Sequence, residues 1–209
     1  APATEHASAP NSSLAQRTAA LLERHQPTEK SVVLHRTTVR VSALDTRLQL
    51  IERASHSLDI QYYIIDDDAT GRRMLRSLRD AGARGVRVRL LIDDLFTAQT
   101  DASLRALADM PNVEVRLFNP FCCLRESLSS RFIGSLGDLY RINHRMHNKL
   151  LIADGLFAVA GGRNIADAYF MLNMSNNFVD MDAFIAGAVV LQLQQIFDQY
   201  WNSDVVYPV

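Results

Sequence analysis

An alternation of strand-like and helix-like segments constrains the fold of this chain more than any other feature. Stretches rich in apolar and β-branched residues occupy positions 57–65, 86–92 and 113–118. Between them, at residues 69–82 and 102–110, the apolar spacing is that of amphipathic helices. Strand, helix, strand, helix, strand is the order of βαβ units, whose crossovers make consecutive strands parallel. We therefore expect an α/β fold, with a mostly parallel mixed sheet flanked by helices on both faces.

Length and composition fit a single domain. The chain has 209 residues, a formal net charge of -1 and 48% hydrophobic residues, which suits one globular domain with a sizeable core. We assign that domain to residues 13–209. Residues 1–12 are rich in Ala, Pro and Ser without an apolar run, so we expect them to form a disordered lead, such as follows a removed signal. The balanced charge gives no general attraction to nucleic acid, and we expect no nucleic-acid partner.

Residues 147–164 carry six residue types at fixed spacings. The pattern is H-x-K-x4-D, then six residues, then G-G-x-N, and it comprises His147, Lys149, Asp154, Gly161, Gly162 and Asn164. With each type near one in twenty of average composition, a chance match is on the order of one in a hundred thousand or rarer. Each part alone has an ordinary interpretation as a solvated strand edge, a turn or a loop. Their combination in this order points to a functional site.

The chemistry of phosphate esters explains the spacing. Residues 150–152 are apolar and β-prone, and a strand there places His147 and Lys149 on one face, about 7 Å apart along the chain. A neutral imidazole can attack phosphorus to form a covalent phosphohistidine, while an ammonium group balances the charge that develops. We therefore predict a phosphodiester-cleaving site with His147 as its nucleophile.

The second part of the motif is predicted to return to the same place. Residues 154–155 are an Asp-Gly turn pair, and residues 156–160 have the character of a returning strand. The return brings Gly161, Gly162 and Asn164 back beside the histidine. There the glycines allow close backbone approach, and the Asn164 amide can donate to phosphate.

The same stretch resembles the HKD motif of the phospholipase D superfamily, and all six positions match. The resemblance implies that His147 is the nucleophile. It implies that Lys149 and Asn164 bind phosphate, with Gly161 and Gly162 beside them. It implies no metal and no cofactor.

The resemblance also assigns roles to acidic residues. Asp154, the motif aspartate, joins the candidate catalytic residues, although in the family it tends to be structural, which suits a turn. A separate acid orients the family's histidine from a later strand, ahead of a glycine. Asp180 and Asp182 share one strand face ahead of Gly187, and both fit this role. We favour Asp182 because it is nearer the glycine.

Acidic residues at two predicted strand ends offer a rival metal site. Residues 66–68 and 93–94 follow the first two strands, where open α/β sheets place functional groups. They have the chemistry to bind Mg²⁺. Helix capping and turn formation explain them more simply, and we favour that interpretation.

The wider chain is similar to the superfamily's bacterial cardiolipin synthase and phospholipase branch, from about residue 45 to the end. The matching phrases lie at residues 58–63, 85–91, 118–121 and 200–203. The likeness implies transfer or hydrolysis of phosphatidyl groups on a phospholipid substrate at a membrane surface. It also implies a place in the bacterial cell envelope, peripheral to the membrane or on its periplasmic side.

The chain holds one motif where the family's active site uses two. One family histidine attacks while the other protonates the leaving alcohol, because an alkoxide leaves poorly without a proton. This chain has 6 histidines, and among them His147 alone is followed by the lysine and aspartate. The phrases resemble the first, N-terminal half of a two-lobe enzyme, so we expect a missing second half rather than a homodimer mate. A single-motif homodimeric endonuclease and a non-catalytic lobe remain the alternatives.

Overall fold

The structure is a computed structural model that describes residues 33–37, 40–121 and 144–209, together with Gln16. The predicted lead over residues 1–12 lies outside the described residues. The single domain over residues 13–209 remains a prediction for the same reason, although its described parts share one sheet.

The described helices and strands follow the predicted alternation. In chain order they are β1 (Val33–Thr37), α1 (Arg40–Arg53), β2 (Ser57–Tyr62), α2 (Ala69–Ala83), β3 (Arg87–Asp93), a 3-10 helix (Asp94–Gln99), α3 (Asp101–Ala108), β4 (Val113–Phe118), β5 (Leu150–Ala153), β6 (Phe157–Gly161), another 3-10 helix (Asp167–Phe170), β7 (Asp182–Ala186), α4 (Val189–Trp201) and β8 (Val206–Pro208).

Within the described residues, eight strands form one sheet in the order β1-β7-β6-β5-β2-β3-β4-β8. The pairs β2–β3 and β3–β4 are parallel, as helical crossovers require. The other five pairs are antiparallel. Among them, β5 and β6 are joined by a tight turn, and β7 pairs with both β6 and β1. The predicted α/β class and mixed sheet are confirmed, with fewer parallel pairs than the sequence suggested.

The two faces of the sheet are covered by different helices, as predicted. Alternate strand residues such as Leu58 and Ile60 belong to a large core cluster with buried side chains of α1, α2 and α3. On the opposite face, Ile152 and Ala158 pack with Phe197 and Trp201 of α4. This period-2 division is the pattern of strands buried on both faces.

The helix after β2 shows how local sequence sets the chain's direction. The carboxylate of Asp68 accepts a hydrogen bond from the Gly71 N–H at 2.9 Å and caps the start of α2. The helix buries Met74 and Leu78 against the sheet and ends before Gly85, whose φ of 91° suits glycine. The favoured capping interpretation is therefore confirmed for Asp68.

Among the described helices, none combines the length and apolar character needed to cross a bilayer.

Candidate active site

His147 and Lys149 lie side by side just before β5. The Lys149 ammonium nitrogen is 3.2 Å from His147 Nδ1 and donates to the His147 carbonyl at 2.7 Å. Lys149 is buried, with 6% of its surface exposed, whereas His147 is open to solvent. A protonated lysine makes Nδ1 the acceptor, so the ring proton sits on Nε2 in this arrangement. The structure brings the predicted pair into contact.

Burial and charge together favour a neutral imidazole. The pKa of His147 is lowered from its ordinary 6.5, first by partial burial and then by the Lys149 charge, while Asp93 acts in the opposite direction. Burial also lowers the pKa of Lys149, and Asp180 opposes that shift. Most of the His147 population is therefore neutral at neutral pH, the form in which imidazole is a nucleophile.

An aromatic side chain that the sequence analysis did not single out packs on the histidine. The Tyr63 ring lies 4.5 Å from the His147 ring, and the Lys149 ammonium lies 5.2 Å from the Tyr63 centroid. Phe96 packs edge-on against Tyr63 at 5.5 Å. Tyr63 directly follows β2, which pairs antiparallel with β5, so the two strand ends meet at this edge of the sheet. Tyr63 belongs to the stretch at residues 58–63 that matches the family, and that match was the sequence signal that could have identified it.

Asp93, at the end of β3, holds the segment that leads into the site. Its buried carboxylate accepts from the Met146 N–H at 2.8 Å and from the Arg145 guanidinium at 3.1 Å. It also accepts from the Leu95 N–H at 2.9 Å, so it caps the following 3-10 helix as well. Burial raises the pKa of Asp93. The sequence indicated capping here, but it did not indicate the contact with the residues before His147.

Gly161 and Gly162 are needed because the chain at residues 180–182 passes directly over them. Gly161 pairs in register with Asp182, and the Gly162 N–H donates to the Met181 carbonyl at 3.1 Å. A side chain on Gly161 would collide with the Met181 carbonyl and the Asp182 carboxylate, and one on Gly162 with the Asp180 carboxylate. The glycines thus allow close approach of the chain's own residues 180–182, while their predicted place beside a bound phosphate remains a prediction.

Asn164 is buried at the base of the site and already has two partners. Its Oδ1 accepts from the Ile64 N–H at 3.2 Å, and its Nδ2 donates to the Tyr169 hydroxyl at 2.9 Å. The first contact ties the chain after β6 to the chain after β2. The amide is therefore held in a fixed orientation, with one of its two Nδ2 hydrogens engaged.

Asp154 lies at the opposite end of β5 from His147, roughly 20 Å away along an extended chain. Its carboxylate accepts from the N–H groups of Ser55, His56 and Ser57 at 2.9–3.3 Å and from the Ser55 hydroxyl at 3.1 Å. These contacts favour a structural role for Asp154 over the predicted catalytic one, because they fasten the β5–β6 turn to residues 55–57 at the start of β2.

The two candidate acids have different surroundings. Asp182 is buried and forms ion pairs with Arg47 at 3.0 Å and with Arg163 at 2.8 Å. Asp180 is half-buried, lies over Gly162 and acts electrostatically on Lys149. The favoured Asp182 is thus committed to two arginines, whereas Asp180 faces the lysine of the motif. Which of the two acids orients His147 therefore remains a prediction, and these surroundings favour Asp180.

The acids at the first strand end also form structural contacts. Asp68 caps α2 and accepts from the Asp167 N–H at 2.5 Å, and Asp167 in turn accepts from Thr70. Among the described residues, three or more His, Cys, Asp or Glu side chains do not come together in a metal-binding group.

Comparison with known proteins identifies similar chains. A family model described as the cardiolipin synthase, phospholipase D-like domain matches residues 48–201. Cardiolipin synthase C of Escherichia coli K12 is 44% identical over 172 residues, which are 81% of this chain and 35% of that protein. The chain spans about a third of the length of the curated relatives it matches first, with shares of 35%, 33% and 33%.

Solved structures share the fold. NucT from Helicobacter pylori superimposes with a TM-score of 0.60 at 17% identity, covering 85% of this chain and 98% of that one. Phosphatidylserine synthase of Haemophilus influenzae superimposes with a TM-score of 0.63 at 16% identity, covering 84% of this chain and 38% of that one. A lobe of this architecture therefore occurs both as a whole chain and as part of a longer one.

Proposed function

We propose that this chain, which belongs to the family of cardiolipin synthase, phospholipase D-like domains, provides one His-Lys half of a site that cleaves and transfers the phosphodiester groups of phospholipids. The observation that carries the proposal is the Lys149 ammonium 3.2 Å from Nδ1 of an exposed, low-pKa histidine. That pair offers a neutral nucleophile and a cation at one point. The names of the bacterial cardiolipin synthase relatives support a phosphatidyl substrate and a place at the membrane surface of the cell envelope.

The reaction begins when a phosphate displaces Lys149 from the imidazole. The ammonium moves to a phosphate oxygen, where it balances the charge that develops at phosphorus. The Asn164 amide adds its second Nδ2 hydrogen, and its fixed orientation is already set by Ile64 and Tyr169. Gly162 contributes by leaving room, since a side chain there would enter the site.

The displacement frees Nδ1 to take the ring proton. Nε2 then carries the lone pair and attacks phosphorus, forming an N–P bond while the P–O bond to the leaving alcohol breaks. We assign Asp180 to hold the Nδ1–H, because it acts on Lys149 from across Gly162. Asp182 holds residues 180–182 in place through its ion pairs with Arg47 and Arg163.

A second motif completes the reaction. The leaving alkoxide needs a proton, and this chain carries one H-x-K-x4-D sequence. We propose that the second motif comes from a further lobe, since the match covers only 35% of cardiolipin synthase C and the phosphatidylserine synthase structure contains this lobe as 38% of its length. The phosphohistidine then passes its phosphatidyl group to an acceptor alcohol or to water.

An activated ester tests the nucleophile without the missing acid. In bis(p-nitrophenyl) phosphate the leaving group is a weak base and departs without protonation. We expect a burst of p-nitrophenolate, stoichiometric with protein, and an acid-labile phosphorylated histidine. His147→Ala abolishes both, while the control His144→Ala, an exposed histidine three residues earlier, keeps both. A missing burst, or one that survives in His147→Ala, overturns the proposal.

One observation supports the homodimeric nuclease alternative. The match to NucT covers 98% of that chain, so a lobe of this size is a whole chain there. In this alternative two His147 motifs meet about a two-fold axis. Binding of DNA that weakens steeply with added salt tests it, because phosphate contacts release counterions. The net charge of -1 argues against it.

A further inference from the structure

Exposed apolar side chains are concentrated in one loop next to the active site. Of the ten large hydrophobic residues that are exposed among the described residues, five lie between positions 172 and 181, which we call the 172–181 loop: Leu172, Met174, Phe178, Val179 and Met181. Met174 is 101% exposed and Val179 is 88% exposed. Side chains exposed to this degree project from the surface as a protrusion. Such a concentration marks an interaction site more often than chance exposure does.

The loop carries no charge at its tip. Residues 168–179 contain no Asp, Glu, Lys or Arg, in a chain that is 22% charged. The flanking acids turn inward: Asp167 accepts from the Thr70 N–H at 2.9 Å, and Asp180 lies over Gly162. The projecting surface is therefore neutral as well as apolar.

The loop's polar groups largely satisfy one another. The Asn173 side chain accepts from the N–H of Ser175 at 2.9 Å and from its hydroxyl at 3.2 Å. Asn177 Nδ2 donates to the Asn173 carbonyl at 2.8 Å, and the Phe178 N–H donates to the Ala168 carbonyl at 2.9 Å. Polar groups that are already paired cost less to move out of water, so this loop can enter an apolar medium at low cost.

The C-terminal part of the loop is fixed to the active site. The Phe178 ring packs on Tyr169 at 4.9 Å, and the Tyr169 hydroxyl accepts from Asn164 at 2.9 Å. Two residues further along, Asp180 lies over Gly162 and acts on Lys149. The position of the loop tip therefore sets the position of the residues that bind phosphate.

We propose that the 172–181 loop inserts into the headgroup and upper acyl region of a phospholipid bilayer and so sets the depth at which the site meets a lipid phosphate. The inference rests on the proposed function for its substrate, and it adds the surface through which the protein reaches that substrate. Interfacial segments bury apolar side chains about 5–10 Å into the boundary between headgroups and acyl chains. Lipid phosphates lie close to this boundary. A neutral, protruding tip beside the phosphate-binding residues fits a lipid surface. Protein interfaces also use exposed Met and Phe side chains, so the solution mass in the second test distinguishes a contact between chains from a contact with lipid.

The first test measures binding to vesicles of neutral phosphatidylcholine by sedimentation, which requires no catalysis. Met174→Asp together with Val179→Asp is expected to weaken partitioning by about tenfold for each side chain. The matched control is Leu191→Asp with Ile196→Asp, two side chains on α4 that are 52% and 43% exposed. We expect the control to bind as the unchanged chain does. If the unchanged chain fails to bind vesicles, or if both double variants bind equally, the proposal is overturned.

The second test locates the loop directly. Met174→Trp places a reporter at the tip, while the natural Trp201 is buried at 3% exposure. Vesicles are expected to shift the emission of the new tryptophan to the blue, and lipids brominated on the upper acyl chain are expected to quench it. An unshifted emission overturns insertion. So does a solution mass above the monomer that falls to the monomer in Met174→Asp with Val179→Asp, because the loop would then be a contact between protein chains.

The two proposals fail separately. If the loop variant loses vesicle binding but keeps the p-nitrophenolate burst, the result supports membrane insertion by the loop and leaves the proposed role of His147 unaffected. An absent burst with loop-dependent vesicle binding refutes the phosphohistidine while the membrane contact stands. A loop variant that loses the burst as well overturns the assignment of the loop to docking alone.

Discussion

At the scale of single residues, two opposing charges act on His147, the proposed nucleophile. Lys149 touches the imidazole, and Asp93 acts on it from the end of β3, which is separated from β5 by β2. Partial burial and the lysine lower the His147 pKa, while the aspartate raises it. The neutral form therefore predominates above a midpoint that lies below 6.5, and it is lost as pH falls through that midpoint.

The titration of His147 checks this balance. In Lys149→Met the loss of a positive charge is expected to raise the midpoint. In Asp93→Asn the loss of a negative charge is expected to lower it. The ring-proton chemical shift followed by NMR over pH 4–9 gives both values, and His144 in the same spectra is the internal reference. If both substitutions move the His147 midpoint in the same direction, the opposing effects assigned to Lys149 and Asp93 are contradicted.

The two candidate acids separate by their effects on stability and chemistry. Asp182→Asn leaves Arg47 and Arg163 without their buried partner and is expected to reduce the free energy of unfolding by about 3–5 kcal/mol. Asp180→Asn is expected to leave thermal unfolding nearly unchanged and to slow the p-nitrophenolate burst about a hundredfold. Urea unfolding and burst kinetics measure the two effects. The reverse pattern would restore Asp182 as the acid that orients His147.

The approach of Lys149 to His147 was predictable from their spacing of two, although both residues precede β5 (Leu150–Ala153) and are not part of the strand. The contacts of Tyr63 and Asp93 were not predictable, because they reach His147 through the pairing of strands that lie more than fifty residues earlier in the chain. A single sequence contains no signal for that register. The ion pair between Asp182 and Arg47 was not predictable for the same reason, because Arg47 belongs to α1, much earlier in the chain.

At the scale of elements, the β5–β6 hairpin is fastened at both ends. The candidate site lies at one end, and Asp154 at the other accepts from three consecutive backbone N–H groups, at residues 55–57, where the chain enters β2. Asp154 also has a φ of 52°, a left-handed conformation that Asp and Asn tolerate better than most residues. The turn therefore depends on both the carboxylate and the backbone preference.

Substitution of Asp154 separates these two contributions. Asp154→Ala loses both and is expected to reduce the free energy of unfolding by about 3 kcal/mol or more, because buried donors lose their acceptor. Asp154→Asn keeps the backbone preference and one acceptor oxygen, so a smaller loss is expected. Chemical denaturation measures both. A burst from His147 that falls in the folded Asp154→Asn protein would show that the aspartate has a direct part in catalysis.

Element positions were predictable where hydrophobic periodicity was clear. The strand over residues 113–118 and the helix over residues 69–82 were found within a residue or two of their predicted bounds. Periodicity was less informative after Asn164. The chain there forms only a 3-10 turn over Asp167–Phe170, which ends at Met171 with a φ of 59°. β7 is short, because residues 172–181 form the exposed loop and Val189 begins α4.

At the scale of the whole molecule, the proposed chemistry needs a second motif besides the one at His147. We expect light scattering to give a monomer near 23.4 kDa, with a burst on the activated ester and no turnover of an ordinary phospholipid. Turnover needs the proton that a second motif supplies. A dimer whose phospholipid turnover rises with its population would instead show that two copies of His147 complete one site.

The proposed site has a consequence at the level of the gene. His147, the amide of Asn164 and the carboxylate of Asp180 all lie within one uninterrupted stretch of chain, from position 147 to position 180. On the proposed mechanism, duplication of that one gene segment would copy all of these groups together with the β5–β6 hairpin between them. The two histidines of such a pair would start as the same side chain, and only their surroundings would have to differ for one to attack and the other to protonate.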